Sequence, residues 1–146
     1  GVCRAEFENY AQKSGIDCEF TGLLEYGKMM KTLMACDVAV NPIVGRSVSS
    51  IINKVSDYAA AGVPVINTQN SMEYRDLLER YEAGINVENG NVRELAYAIR
   101  KFYCDPDYKD KVGSNEKKMF EEVFDRAKNY PRLIYKMEEF LGEQKD

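Results

Sequence analysis

Three short apolar runs, Asp37-Val-Ala-Val-Asn-Pro-Ile43, Val63-Pro-Val-Ile-Asn-Thr68 and Ala83-Gly-Ile-Asn-Val87, alternate with longer stretches of helical periodicity. No other feature limits the fold so strongly. The first run is nearly continuous in its apolar character, as expected of a strand buried on both faces. The stretches between the runs suit crossover helices, which join parallel strands. The pattern predicts an α/β chain: a Rossmann-like, mostly parallel sheet with helices on both faces, closed by C-terminal helices. Ligands of such sheets bind at the carboxyl ends of the strands. Cys18-Glu-Phe-Thr-Gly22 reads as a further strand ending at a glycine turn.

The helical stretches carry their own signals. Phe7, Tyr10 and Ala11 form one apolar face of an opening helix that stops at Ser14-Gly15. Tyr26 to Ala35 places Met29, Met30, Leu33 and Met34 at helical spacing, a pattern of core packing. Ile51 to Ala61 is a helix closed by Gly62. Asn70-Ser-Met-Glu73 and Asn91-Val-Arg-Glu94 have capping-box spacing, and the second helix shows Val92, Leu95, Ala96, Ile99 and Phe102 as a stripe. Asp105-Pro106 ends that helix. The remainder, through Met119, Phe120, Val123, Phe124, Leu133, Ile134, Met137, Phe140 and Leu141, is helical with a break predicted near Tyr130-Pro131.

Composition narrows the chemistry. The 146 residues suit one domain, and 45% hydrophobic residues are enough for a core. Lys and Arg number 20 against 24 Asp and Glu, a formal charge of −4, so no basic field points to nucleic acid. The chain has no histidine, which excludes a Ser-His-Asp triad and a His-rich zinc site. No run approaches the roughly 20 apolar residues of a membrane span. Cys3, Cys18, Cys36 and Cys104 have neither CxxC spacing nor regular intervals, so they read as free thiols, three of them in apolar or element-interior contexts. That usage fits a reducing, cytoplasmic setting. The sequence begins at Gly1 with a helical stretch, whereas a doubly wound domain begins with a strand. The expectation is therefore a partial domain, residues 1–146, with leading strands upstream. An exposed sheet edge there would allow two copies to pair.

The segment from Ser47 to Ile66 is the most informative for function. A polar loop, Val44-Gly-Arg-Ser-Val-Ser-Ser50, leads from a strand into the helix of Ile51 to Ala61. Its free N–H groups and positive dipole end face the strand-end cleft, a geometry that binds phosphate without needing a lysine. Asn53 and Asp57 are four apart and share a face with Ser50, while Ile51, Ile52, Val55, Tyr58 and Ala59 supply the buried side. Asp57 is placed to accept hydrogen bonds from a sugar diol, as acidic residues do for ribose in dinucleotide folds. The residues alone also admit a plain reading: Ser-Ser as a helix cap, and Asp57 on a solvated face paired with Lys54.

Asn53-Lys54, Asp57-Tyr58 and Ala60-Ala61-Gly62-Val63-Pro64-Val65-Ile66 together resemble the N-K-x-x-E/D-Y-x-A-x-G-x-P-V-I signature of GT-B-fold glycosyltransferases of family 4. Phe20-Thr-Gly22, Cys36-Asp37-Val-Ala-Val-Asn-Pro42, Ala83-Gly-Ile-Asn-Val87 and Leu95-Ala-Tyr-Ala-Ile99 resemble further stretches of that family in the same order, across nearly the whole chain. The resemblance implies the C-terminal, nucleotide-sugar-binding half of a two-domain transferase. It implies that the nucleobase packs after Phe20-Thr-Gly22, against Gly22 and Leu23. The diphosphate would lie at the helix start, Ser50 to Asn53 with Ile52, and the ribose at Asp57; Ser49 and Lys54 are further donor-binding candidates, and Glu73 would keep an acidic residue near the donor. Ser49 stands eight residues before Asp57, where many members carry a sugar-binding glutamate. Ile52 stands where proline or glycine is usual, and Gln69-Asn-Ser-Met-Glu73 lacks the usual double glycine.

The implied activity is transfer of a hexose from a UDP- or GDP-linked sugar to a glycan or lipid-linked acceptor, in surface or capsular polysaccharide synthesis. No metal or separate cofactor is implied, the nucleoside-diphosphate sugar being the substrate. The family's acceptor domain, catalytic groups and diphosphate-neutralising cations lie upstream of Gly1, so the chain alone is expected to be inactive. The full-length protein would be cytoplasmic, peripheral to the inner membrane. A non-catalytic Rossmann-like interaction module is the alternative, and an epimerase of the same fold would want a histidine.

Overall fold

The computed structural model describes residues 3–43 and 51–143, the side chain of Glu143 excepted. The chain divides into two compact units, residues 1–31 and 32–146. In the first, helix α1 (Arg4–Lys13) is closed by Ser14 and by Gly15 at positive φ, with Ile16 N donating to Ala11 O. Ala11 is buried, but Phe7 and Tyr10 are exposed. Cys18–Gly22 carries no strand ladder among the described residues, which corrects its reading as a strand. The glycine turn is present, since Gly22 has φ of +69°. Helix α2 (Tyr26–Met34) starts where the Glu25 carboxylate accepts from the N–H groups of Gly27 and Lys28. Those two bonds hold the Glu25 carboxyl below its ordinary pKa. The methionine cluster of α2 is not core: Met29, Met30 and Leu33 are half-buried and Met34 is exposed.

The second unit is built on a parallel sheet of three strands, β1 (Ala39–Asn41), β2 (Val65–Asn67) and β3 (Gly84–Asn86), in the order β1-β2-β3. Ala39 pairs with Val65 and Val65 with Gly84, and the register runs on to Asn41, Asn67 and Asn86. Helix α3 (Lys54–Ala61) joins β1 to β2, and α4 (Met72–Tyr81) joins β2 to β3. Helices α5 (Val92–Cys104) and α6 (Pro106–Met119) follow. A wide turn, Phe120–Phe124, ends with Asp125 N on Phe120 O and leads into α7 (Arg126–Glu143).

Alternation along the strands sends side chains to two helical layers, as the apolar runs predict. One core holds Val55 and Ala59 of α3, Tyr74, Leu77 and Leu78 of α4, and Met119 of α6. The other holds Ile66 with Ala98 and Phe102 of α5 and Val112 of α6, and Ile85 packs against it. Fully burying a side chain such as Leu78, Ile66 or Phe102 contributes about 1.5–3 kcal/mol. On α5 the buried residues are Ala98 and Phe102, while Val92 and Ile99 of the predicted stripe are exposed.

Caps and breaks refine the helix ends. Ser71, not Asn70, caps α4, its hydroxyl accepting from Tyr74 N. Asn91 caps α5 by accepting from Glu94 N, but the Glu94 carboxylate takes Glu88 N, closing the preceding loop. Asp105 caps α6, with Pro106 in its first turn. The C-terminal break falls at Asp125, whereas Pro131 lies inside α7. Leu133, Ile134, Met137, Phe140 and Leu141 of α7 are exposed. All four cysteines are free, as expected, and all are exposed; of the three expected in apolar or element-interior contexts none is buried. Among the described residues no helix is long and apolar enough to cross a membrane.

Two features of α6 set its stability. Gly62 ends α3 with φ of +69°, and a Cβ on Gly113 of α6 would stand 2.6 Å from Gly62 O. The two backbones meet there, which only glycine permits. Gly113→Ala should therefore cost about 1–3 kcal/mol in urea denaturation despite alanine's better helix propensity. Gly142→Ala, with nothing within 4 Å, should instead be neutral or mildly stabilising.

Glu116 of α6 is fully buried, and neither carboxylate oxygen has a hydrogen-bond partner. Burial pushes its carboxyl well above the ordinary range, so the folded chain keeps a proton that the unfolded chain releases. Its contribution is most favourable below the unfolded pKa and declines as pH rises toward the folded one. Glu116→Gln should match the wild type at about pH 4 and exceed it by about 1 kcal/mol or more at about pH 8, read from urea midpoints.

Candidate functional site

The carboxyl ends of β1, β2 and β3 are the edge from which α3, α4 and α5 start. Each strand ends in asparagine there, and the parallel register lines Asn41, Asn67 and Asn86 up side by side. Asn41 Nδ2 donates to Asn67 Oδ1 at 3.0 Å, and Asn67 Nδ2 donates to Asn86 Oδ1 at 3.0 Å. Asn86 Nδ2 continues to Arg75 O and Glu79 Oε1 on α4, both at 3.1 Å. Backbone groups settle the amide orientations. Asn67 Oδ1 accepts from Gln69 N at 3.0 Å, and its Nδ2 donates to Gln69 O at 3.2 Å. Asn41 Nδ2 also reaches Gln69 Oε1 at 3.4 Å.

The loops beyond the strands are laced in the same way. Thr68 Oγ1 donates to Asn41 O and Ile43 O, and Asn89 Nδ2 donates to Ile43 O at 2.7 Å. Arg75 spans from α4 to Val87 O and the Glu88 carboxylate. The edge is therefore fastened by polar bonds, several of them buried. This row of amides is absent from the sequence-based site. Its signal is nonetheless present in the sequence, because V-N-P, I-N-T and I-N-V close three successive apolar runs.

Among the residues predicted for the site, Ile52, Asn53, Lys54 and Asp57 lie at the start of α3, beyond β1. The helix begins at Lys54, with Asn53 as its N-cap, rather than at Ile51. Asn53 makes no side-chain capping bond, whereas Ser71, Asn91 and Asp105 cap their own helices. Val55 N and Ser56 N turn inward to Ile52 O and Asn53 O. Asn53 and Lys54 are exposed, Asp57 is half-buried, and Ile52 packs on the core of α3 and α4 rather than facing outward alone. Asp57 raises the pKa of neighbouring Tyr58, although burial is the larger cause. Glu73 is exposed in the first turn of α4, at the end of the adjacent strand. The sheet thus brings the α3 start and Glu73 to one edge. Gly22 and Leu23 belong to the first unit, with Leu23 fully exposed. Ser49 and Ser50 fall outside the described residues.

The opposite, amino edge carries a different surface. There a cleft is lined by Asp37, Gly62, Pro64, Lys109, Ser114 and Lys117, and Lys109 Nζ lies 2.7 Å from Asp37 Oδ1. That bond holds the Asp37 carboxyl below, and the Lys109 ammonium above, their ordinary values. The two charges neutralise each other. Among the described residues no group of three or more His, Cys, Asp or Glu side chains could hold a metal ion.

Comparison with known proteins agrees with this architecture. None of the curated proteins compared matches the chain. A sucrose-phosphate synthase from Thermosynechococcus elongatus matches in structure, with a TM-score of 0.81 over 98% of this chain at 19% sequence identity. The chain spans 35% of the length of that protein. At such identity the likeness establishes the fold, that of a GT-B glycosyltransferase. Residues 1–105 match the family described as glycosyl transferases group 1, and the chain belongs to that family.

Proposed function

We propose that the chain is the donor-binding part of a hexosyltransferase that uses a nucleoside-diphosphate sugar, UDP- or GDP-linked. The observation that carries this reading is the start of α3. An exposed helix N-terminus opens from the carboxyl edge of a parallel sheet, and its N-cap side chain is not committed to the helix. The positive helix end favours an anion there, and Lys54 adds a cation in the first turn. A diphosphate at this point would be stabilised most as it gathers negative charge on leaving the sugar, which is how such a site accelerates transfer. Asp57, one turn further along the helix, accepts from the ribose hydroxyls. Glu73, at the end of the neighbouring strand, offers a carboxylate to the sugar.

The reading assigns acceptor binding and the proton-transferring group to the remainder of a longer protein, so this chain alone binds donor without turning it over. The acceptor is a glycan or lipid-linked sugar of a surface or capsular polysaccharide, assembled in the cytoplasm at the inner face of the membrane. Calorimetric titration of the chain with UDP and with GDP tests the donor site. Binding of one nucleotide is expected, and Asp57→Ala should weaken it about tenfold or more, the scale of one lost charge-assisted hydrogen bond. Absence of binding by either at millimolar concentration would refute the site and leave the non-catalytic interaction module as the better reading.

A further inference from the structure

We propose that the amide chain Asn41-Asn67-Asn86, with Gln69, buried at all but Asn86, is a positioning device that sets the sugar end of the donor site; this rests on the donor-site reading above. The hub is Asn67, which is 0% exposed and uses its whole amide. Its oxygen accepts from Asn41 Nδ2 and Gln69 N, and its nitrogen donates to Gln69 O and Asn86 Oδ1. Four bonds in fixed directions leave the amide one orientation, so the loop after β2 has one path.

That path decides where α4 begins. Gln69 is held at both its N–H and its carbonyl by the Asn67 amide, and two residues later Ser71 caps the helix whose first turn carries Glu73. The far end of the chain, Asn86, grips Arg75 O and Glu79 Oε1 on that same helix. The first turns of α4 are therefore held at two points by one run of amides. The start of α3 lies on the other crossover, and among the described residues no hydrogen bond of Asn41, Asn67 or Asn86 goes to Asn53 or Lys54. The direct bonds of the amide chain thus go to α4, which carries the sugar end, and not to Asn53 or Lys54. Loosening the amides should disturb the sugar end first.

Titration of the full chain with UDP-glucose against UDP, and GDP-mannose against GDP, reads this difference. Asn67→Leu, of similar volume and without hydrogen bonds, should leave nucleoside-diphosphate affinity within about threefold while shifting the affinity ratio about tenfold against the sugar nucleotide. Hydrogen exchange over residues 68–74 should rise with it, while α3 keeps its protection. Asn86→Ala, at a half-buried position, removes the link to α4 and the Asn67 bond that leads to it but keeps the bonds between Asn67, Asn41 and Gln69, and should give a smaller shift of the same sign. It carries the test if Asn67→Leu fails to fold. An unchanged ratio in the folded variants overturns the positioning role while the donor reading stands. Failure of the wild-type chain to bind any of the four probes overturns both, and is seen before any variant is made.

Discussion

Three amides in a row across three short strands determine how this sheet can end. Burying an amide without partners costs several kcal/mol, so Asn41, Asn67 and Asn86 are tolerated only because each supplies what the next requires. Parallel, in-register pairing makes that possible, since it places equivalent side chains on the same face one strand-spacing apart. A slip of one residue would turn the amides into the opposite, apolar layer with Ile66 and Phe102. The polar row thus specifies register, a task that strands of three residues perform poorly with apolar side chains alone.

The two edges of the sheet are fastened by different means. At the carboxyl edge hydrogen bonds between amides, hydroxyls and carbonyls hold the loops, and these bonds are directional. At the amino edge the backbone of α6 lies against the end of α3 through Gly113 and Gly62, and contact there is steric. The steric seam carries α6 across both helical layers, with Val112 in one core and Met119 in the other. It also buries Glu116 without a partner, beside a core whose Tyr74 hydroxyl is likewise unbonded and raised in pKa, chiefly by desolvation. The chain thus carries its electrostatic cost on α6 and in the core of α3 and α4, while the amides of the carboxyl edge are hydrogen-bonded to one another.

The layer architecture was legible in sequence because period and run length report directly on burial. Val63–Thr68 and Ala83–Val87 contain β2 and β3, and Gly62 closes α3 as read. Local rules failed where a neighbouring group competed for the same atom or surface. Asn70 has capping-box spacing, yet the path set by Gln69 delivers Ser71 to the cap. Pro131 looks like a helix start, yet Asp125 ends the preceding turn and its side chain accepts from Ala127 N, so the new helix begins earlier. The methionines of α2 and the apolar residues of α7 have the right spacing for burial but no described partner surface that buries them. Periodicity reports that a helix has an apolar face; it does not report what covers the face.

The candidate site shows the same division. Asn53, Lys54 and Asp57 stand out as candidates because a helix start after a strand is a local pattern with a physical consequence. The asparagines were passed over because each, taken singly, looks like an ordinary strand end. Their meaning appears only when three strand ends are laid side by side, which requires the register. A transferase gains most from donors that are already oriented when charge develops, because reorganisation during reaction raises the barrier. For the proposed donor site, a carboxyl edge whose loops are fastened to one another through Thr68, Gln69 and Asn89 fits that requirement. In this chain the residues proposed to touch the donor and the amides that fasten the carboxyl edge are different sets; the first is a local pattern, whereas the second gains its meaning only from the register.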